Sequence, residues 1–215
     1  MSTAGDLIVL VVDDDGPVRA AIGDLLRSAG FKTRLFDSPE ALLELDQMPD
    51  GPHCLVLDVH LPGLSGLEVQ ARLNHQHVDT PIIFITGRGD IPMSVRAMKA
   101  GAVEFLTKPF RDDELLDAVR GAIERSAALR AEGVELRGVR ERYSHLTPRQ
   151  REVMLLVTTG MLNKQAAAEL GTTEIMIKVH RRHVMAKMAA GSLPDLVRMA
   201  DMLGLRPGSP VNRQG

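Results

Sequence analysis

The residues able to do chemistry stand at the ends of short apolar runs. Asp13 and Asp14 follow one such run, Asp58 follows CLVL, Thr86 ends IIFIT, and Lys108-Pro109 comes just past a fifth run. Three carboxylates brought together repel one another and raise one another's pKa unless a cation neutralises them. An all-oxygen cluster of this kind suits a hard divalent ion such as Mg2+, which keeps several of its waters. Lys108 adds a fixed positive charge, and Thr86 a hydroxyl able to bond to an incoming oxygen. Such a set can accept a phosphoryl group: the Asp58 carboxylate attacks in line, and the surrounding positive charge neutralises the transferred oxygens.

For that chemistry the five positions must meet, and the pattern of the first half brings them together. Apolar runs at 7–12, 31–36, 54–57, 82–86 and 102–106 each precede a stretch with helical spacing, at 17–29, 38–45, 67–73, 92–100 and 112–123. Five β/α units in succession predict an α/β fold, a doubly wound five-stranded parallel sheet covered by helices. In such sheets ligands lie in the crevice beyond the carboxyl ends of the strands, where all of these polar residues fall. Leu61-Pro62-Gly63 and Gly66 turn the chain away after Asp58, which predicts an exposed carboxylate; a strand-end aspartate that merely caps the next helix is the plainer alternative.

At 215 residues the chain fits one or two domains, and the charge divides it. Residues 1–126 hold 12 basic and 20 acidic side chains, a net of −8; residues 127–215 hold 14 and 8, a net of +6. An acidic first half suits a cation, and a basic second half suits a polyanion, although a solvated charged face produces either pattern. No stretch is long and apolar enough to span a membrane, and the opening MSTAGDLIVLVV lacks the positive region of a signal peptide. The single cysteine, Cys54, excludes an internal disulfide and fits a reducing cytoplasm; in an apolar strand it reads as core rather than nucleophile.

The second half reads as helical. The pattern from Asp112 continues, charged and alanine-rich, through Arg140, although Gly133 and Gly138 each weaken a helix interior by about 1 kcal/mol. Thr147-Pro148-Arg149-Gln150 has the form of a capping box opening a helix to Thr159. Asn163 is the expected cap of a short helix, 164–170, and Thr172-Thr173 cap a longer one, 174–189. Two helices joined by a short glycine-containing turn make a helix-turn-helix. On the longer helix Ile177, Val184 and Met188 share a core face, while Lys178, Arg181, Arg182 and Lys187, with His180 and His183, lie mostly elsewhere. A basic helix after a turn can enter a major groove. The two histidines lack cysteine or carboxylate companions at zinc spacing.

Asp13-Asp14, Asp58, Thr86 and Lys108-Pro109 together resemble the signature of the receiver domain of two-component response regulators, a flavodoxin-like fold, over about residues 6–124. LTPRQREVM, GMLNKQAAAELG, KVHRRHVMAKM and SLPDLVRMA closely resemble a LuxR-type output domain, so the chain looks like a NarL/FixJ-family regulator of the FixJ-like branch. The resemblance implies that Asp58 is the phosphoacceptor and that Asp14, Asp58 and the His60 backbone carbonyl ligate Mg2+, with Asp13 acting through the metal's water. It implies that Lys108 contacts the phosphoryl oxygens beside a cis peptide to Pro109, that Thr86 moves toward them, and that Phe105 turns inward. Phe105 stands where many relatives have tyrosine; it is also simply an apolar residue in a strand.

In the output domain the resemblance implies base contacts from Lys178, Val179 and Arg182, and phosphate or positioning contacts from Lys164, Thr173, Arg181 and Lys187. Ile175 and Met176 depart from it, occupying positions usually polar in relatives. The expected organisation is a receiver (1–126), a helical linker (127–142), a LuxR-type helix-turn-helix domain (143–206) and a disordered tail (207–215). The implied partners are a histidine kinase, promoter DNA, RNA polymerase and, on phosphorylation, a second copy of the chain. Two other classes fit less well. A magnesium phosphohydrolase wants an acid two residues beyond its nucleophile, where His60 stands; a flavin module would bring its phosphate against Asp13 to Asp15.

Overall fold

The structure, a computed structural model, describes residues 7–76, 78–87 and 91–205 and divides into two compact units, 1–131 and 132–215. In the first, β1 (Ile8–Val12), α1 (Gly16–Ser28), β2 (Lys32–Phe36), α2 (Pro39–Leu43), β3 (His53–Asp58), α3 (Gly66–His75), β4 (Ile82–Thr86), α4 (Ile91–Lys99) and β5 (Glu104–Thr107) alternate, and α5 (Asp112–Ser144) follows. The strands pair in parallel in the order β2-β1-β3-β4-β5. This is the doubly wound sheet that the alternation predicts. Helix and strand ends differ by a few residues. The fifth strand starts at Glu104 rather than Ala102, because the Ala102 amide closes the end of α4 on the Ala97 carbonyl.

Side chains alternate across a strand, so each central strand feeds two cores. Val9, Val11, Cys54, Val56, Ile83 and Ile85 pack with Ile22 and Leu26 of α1 and Leu115 and Val119 of α5. Leu10, Val12, Leu55, Leu57 and Phe84 pack with Leu42 of α2, Val69 and Leu73 of α3 and Ala97 of α4. Burial on both faces is why β1, β3 and β4 read as unbroken apolar runs. Cys54 is wholly buried, and burial pushes its thiol up to about 12, so it is a core residue as expected.

The opposite end of β3 is polar and closed. His53 is buried; its Nδ1 meets the Gly51 carbonyl at 3.0 Å and its Nε2 the Thr80 hydroxyl at 3.0 Å, while its amide donates to Ser126 Oγ of α5 at 3.1 Å. Burial holds this imidazole below its ordinary pKa, as a neutral ring with both nitrogens engaged.

The second unit takes the end of α5 with α6 (Pro148–Thr158), α7 (Asn163–Glu169), α8 (Glu174–Met188) and α9 (Leu193–Met202). Gly133 and Gly138 do not interrupt α5, which runs for 33 residues, and the boundary between the units falls inside it. Val139 is fully buried with Val153, Met154, Val157, Ile177, Val184, Met188 and Leu196. Thr147 and Gln150 form the expected capping box with Pro148 at the first turn. One cap differs: Asn163 is the first residue of α7, and Leu162 precedes it, its amide donating to Gln165 Oε1 at 2.8 Å. The Asn163 side-chain oxygen Oδ1 instead accepts from Arg181. The tail expected at 207–215 lies outside the described residues.

The turn after β3 constrains the chain at two glycines. Gly63 has a φ of +79°, a conformation other residues rarely adopt. At Gly66 the backbone of α3 presses on the end of β3: a Cβ there would collide with the Asp58 carbonyl oxygen and stand 3.1 Å from both Phe84 Cε1 and Val59 Cα. Two of these neighbours are backbone atoms and cannot swing aside. Gly66→Ala is therefore expected to destabilise the first unit by about 1–3 kcal/mol, read as a lower urea midpoint with an unchanged m-value.

Candidate functional site: an acidic pocket and a basic helix

The parallel register delivers the polar residues to one edge of the sheet. Asp13 follows β1, Asp58 is the last residue of β3, Thr86 the last of β4, and Lys108 the first after β5. Lys108 Nζ donates to Asp13 Oδ2 and to Asp58 Oδ2, each at 2.6 Å. One carboxylate oxygen from each of Asp13, Asp14 and Asp58 lies within 4.8 Å of the others. Lys108-Pro109 is a cis peptide. The five positions singled out in the sequence thus meet.

Burial separates their roles. Asp13 and Thr86 are fully buried and Asp58 is 6% exposed, whereas Asp14 is open to solvent. The expectation of an exposed Asp58 is therefore corrected. The turn does lead the chain away, but the Lys108 ammonium lies on one carboxylate oxygen and the His60 amide donates to the other at 2.8 Å. Asp13 is held just as firmly: the Asp15 amide donates to its Oδ1 at 2.9 Å, and Arg19 donates to its backbone carbonyl at 2.5 Å.

The electrostatics favour added positive charge. Burial lifts the Asp13 carboxyl above its ordinary pKa; the hydrogen bond and charge of Lys108 and the Asp15 amide oppose that rise, and the Asp58 charge adds to it. Burial also works against the Lys108 ammonium, yet hydrogen bonds and Coulombic pull from Asp13 and Asp58 outweigh it and leave its pKa raised. The oxygen donors converge on one point with an open side at Asp14, which fits a hard divalent cation.

Around the pocket one partner was not legible in the sequence. His60, expected to contribute its backbone carbonyl to the site, places Nδ1 3.0 Å from Thr86 Oγ1. No periodicity or spacing signals a contact between a loop residue and the end of a strand 26 positions on. Phe105 is half-buried, its ring centroid 6.3 Å from that of Phe84 at 47°.

In the second unit Ile177, Val184 and Met188 carry α8 into the core, as their spacing predicts. The basic residues do not share one environment. Lys164 and Arg182 are exposed, and Lys178 is exposed with its Nζ 3.0 Å from Glu174 one turn back. Thr173 caps α8 by accepting from the Met176 amide, and Arg181 reaches Asn163 of α7. Lys187 turns toward α6, donating to Gln150 Oε1 and the His145 carbonyl at 3.0 Å each. Val179 is 41% exposed.

Comparison with known proteins agrees in both halves. Residues 9–120 match the family described as "Response regulator receiver domain", and residues 144–200 match "Bacterial regulatory proteins, luxR family". Nodulation protein W of Bradyrhizobium diazoefficiens is 52% identical over 198 residues, covering 92% of this chain and 87% of that protein. The transcriptional regulatory protein FixJ of Rhizobium meliloti is 41% identical over 203 residues, covering 94% and 98%. Among solved structures, the response regulator StyR superposes with a TM-score of 0.77 at 44% identity, covering 92% of this chain and 99% of that one.

The charge balance of the pocket has a measurable consequence. Lys108→Met removes the ammonium from two enclosed carboxylates, and breaking such a pair is expected to cost about 3 kcal/mol. The loss should appear in urea unfolding of the metal-free protein; an unchanged midpoint would show that solvent already screens Asp13 and Asp58.

Proposed function

The chain belongs to the two-component response regulators, joining a receiver domain to a LuxR-type DNA-binding domain as a transcriptional regulator, and from that premise we propose that Asp58 takes up the phosphoryl group that switches it. The observation that carries this reading is the Lys108 ammonium bridging Asp13 and Asp58 at the strand ends. A receiver implies a histidine kinase as partner. A phosphohistidine on that kinase is the donor: an Asp58 oxygen bonds to phosphorus as the P–N bond breaks, and the electron pair stays on the imidazole nitrogen, whose ring keeps a proton on the other nitrogen.

Each neighbour has a task in that step. Lys108 holds Asp58 in place and offers its positive charge to the arriving oxygens. The Thr86 hydroxyl exchanges its His60 contact for a phosphoryl oxygen, and Phe105 follows into the space behind it. Asp13, Asp14, Asp58 and the His60 carbonyl are the groups that would hold Mg2+. Bound there, the ion supplies charge neutralisation for the phosphoryl oxygens.

Phosphorylation then favours a homodimer through the surface of α4 and β5. Val95 and Met98 of α4, 44% and 43% exposed, support that surface. Two copies present two α8 helices to promoter DNA at half-sites, with RNA polymerase as the further partner, in the cytoplasm. Lys178, Val179 and Arg182 read bases, while Lys164, Thr173 and Arg181 meet phosphates. Lys187, with its Nζ engaged by α6, positions α8 as well. Among the described residues no helix is long and apolar enough to cross a membrane.

Two measurements test the assignments. Asp58→Asn is expected to abolish acyl-phosphate formation from a small phosphodonor such as acetyl phosphate, followed by intact mass; a retained 80-dalton addition, about the mass of the transferred group in any phosphoryl transfer, would refute it. Lys178→Ala should weaken binding to a promoter duplex by roughly ten-fold, as expected for a lost base contact of about 1–3 kcal/mol, with an unchanged circular dichroism spectrum. An unaltered footprint would remove Lys178 from the interface.

A further inference from the structure

The side of α8 that faces away from the core is apolar at its start and basic beyond. Helical residues advance by about 100° each, so the ridge opposite Ile177, Val184 and Met188 is made by Ile175, Val179, Arg182 and Ala186. Ile175 is 73% exposed, and Met176 and Val179 are 43% and 41% exposed. These side chains form the first turn and a half of the helix, beyond the Thr173 cap. Lys178 flanks them and Arg182 continues the ridge, both exposed.

An exposed apolar cluster costs free energy in water and marks a contact surface. The occupant here is set by what surrounds it. The charges beside it are Lys178, paired with Glu174 of the first turn, and the cationic Arg182; the helix is the second of the helix-turn-helix, and the cluster is continuous with Val179 and Arg182 on the face proposed above to meet bases. Within a major groove an apolar side chain has one complementary partner on the base edges, the C5-methyl of thymine.

We propose that Ile175 and Met176 read thymine methyl groups, so that the target half-site carries thymine at the positions under the start of α8. The inference rests on the DNA-binding reading of α8 and adds the base class. It gives the two side chains a direct specificity role: neither carries a hydrogen-bond group for a phosphate, and both present only aliphatic or thioether surface.

Uracil provides the test, because it keeps every hydrogen-bonding group of thymine and lacks only the methyl. The full chain, treated with acetyl phosphate, selects its best site from a random duplex library. Each thymine of that site is then replaced singly by deoxyuridine, and affinities are read by fluorescence anisotropy. One or two positions per half-site should lose about four-fold in affinity, the worth of one buried carbon, and the loss should vanish in the Ile175→Ser, Met176→Ser double variant while effects at other positions persist. Uniform indifference to uracil, or a methyl effect that survives in the double variant, overturns the proposal. Failure to select any site would overturn the DNA-binding reading of α8 and the proposal with it. If the double variant instead loses self-association in sedimentation while keeping the uracil effects, the cluster meets a second copy of the chain and the proposal falls.

Discussion

Everything in the receiver is arranged about one unfavourable act, the gathering of negative charge at a buried sheet edge. Asp13 is wholly enclosed and Asp58 nearly so, and Lys108 bridges them. Burial acts against the charged forms of Asp13 and Lys108, and the bridge holds through short hydrogen bonds as well as through charge. The parallel sheet makes the arrangement possible. With β1, β3 and β4 buried on both faces and in register, their carboxyl ends cannot drift apart, and the carboxylates stay within reach of one cation.

The remaining contacts hold the rim of that pocket rigid on one side and adjustable on the other. Asp13 is fixed by the Asp15 amide and Arg19, and Gly66 seats α3 against the end of β3. Thr86 and His60 meet side chain to side chain at 3.0 Å. A hydroxyl bonded to a loop imidazole can be redirected without disturbing the ladder; a backbone amide bond cannot. The proposed switch draws on the adjustable side.

Much of this was legible in the sequence because the signals are periodic or compositional. Strands buried on both faces leave unbroken apolar runs, so β4 was read to the residue at 82–86. The start of α6 is legible for a different local reason, the capping residue Thr147 before Pro148. The polar residues at strand ends followed from topology alone. What stayed hidden depends on side chains crossing between elements. The burial of Asp58 under Lys108, the His60–Thr86 contact, the place of Asn163 inside α7 rather than at its cap, and the turning of Lys187 toward α6 have no local signature. The glycines of α5 misled in the other direction, because propensity is a weak prior and a long helix with packing at both ends tolerates two of them.

That helix carries a lesson about modularity. Leu115, Val119 and Ala122 near its start belong to the receiver core, and Val139 near its end belongs to the output core. Ordinary fusion joints between globular modules are loops that can be lengthened or trimmed residue by residue. Here the chain leaves one core and enters the other within a single helix, so each core takes its own part of α5. A crossover that grafts this output module onto another receiver must therefore fall between Ser126 and Val139, where it takes from neither core the helical turns that core is built on.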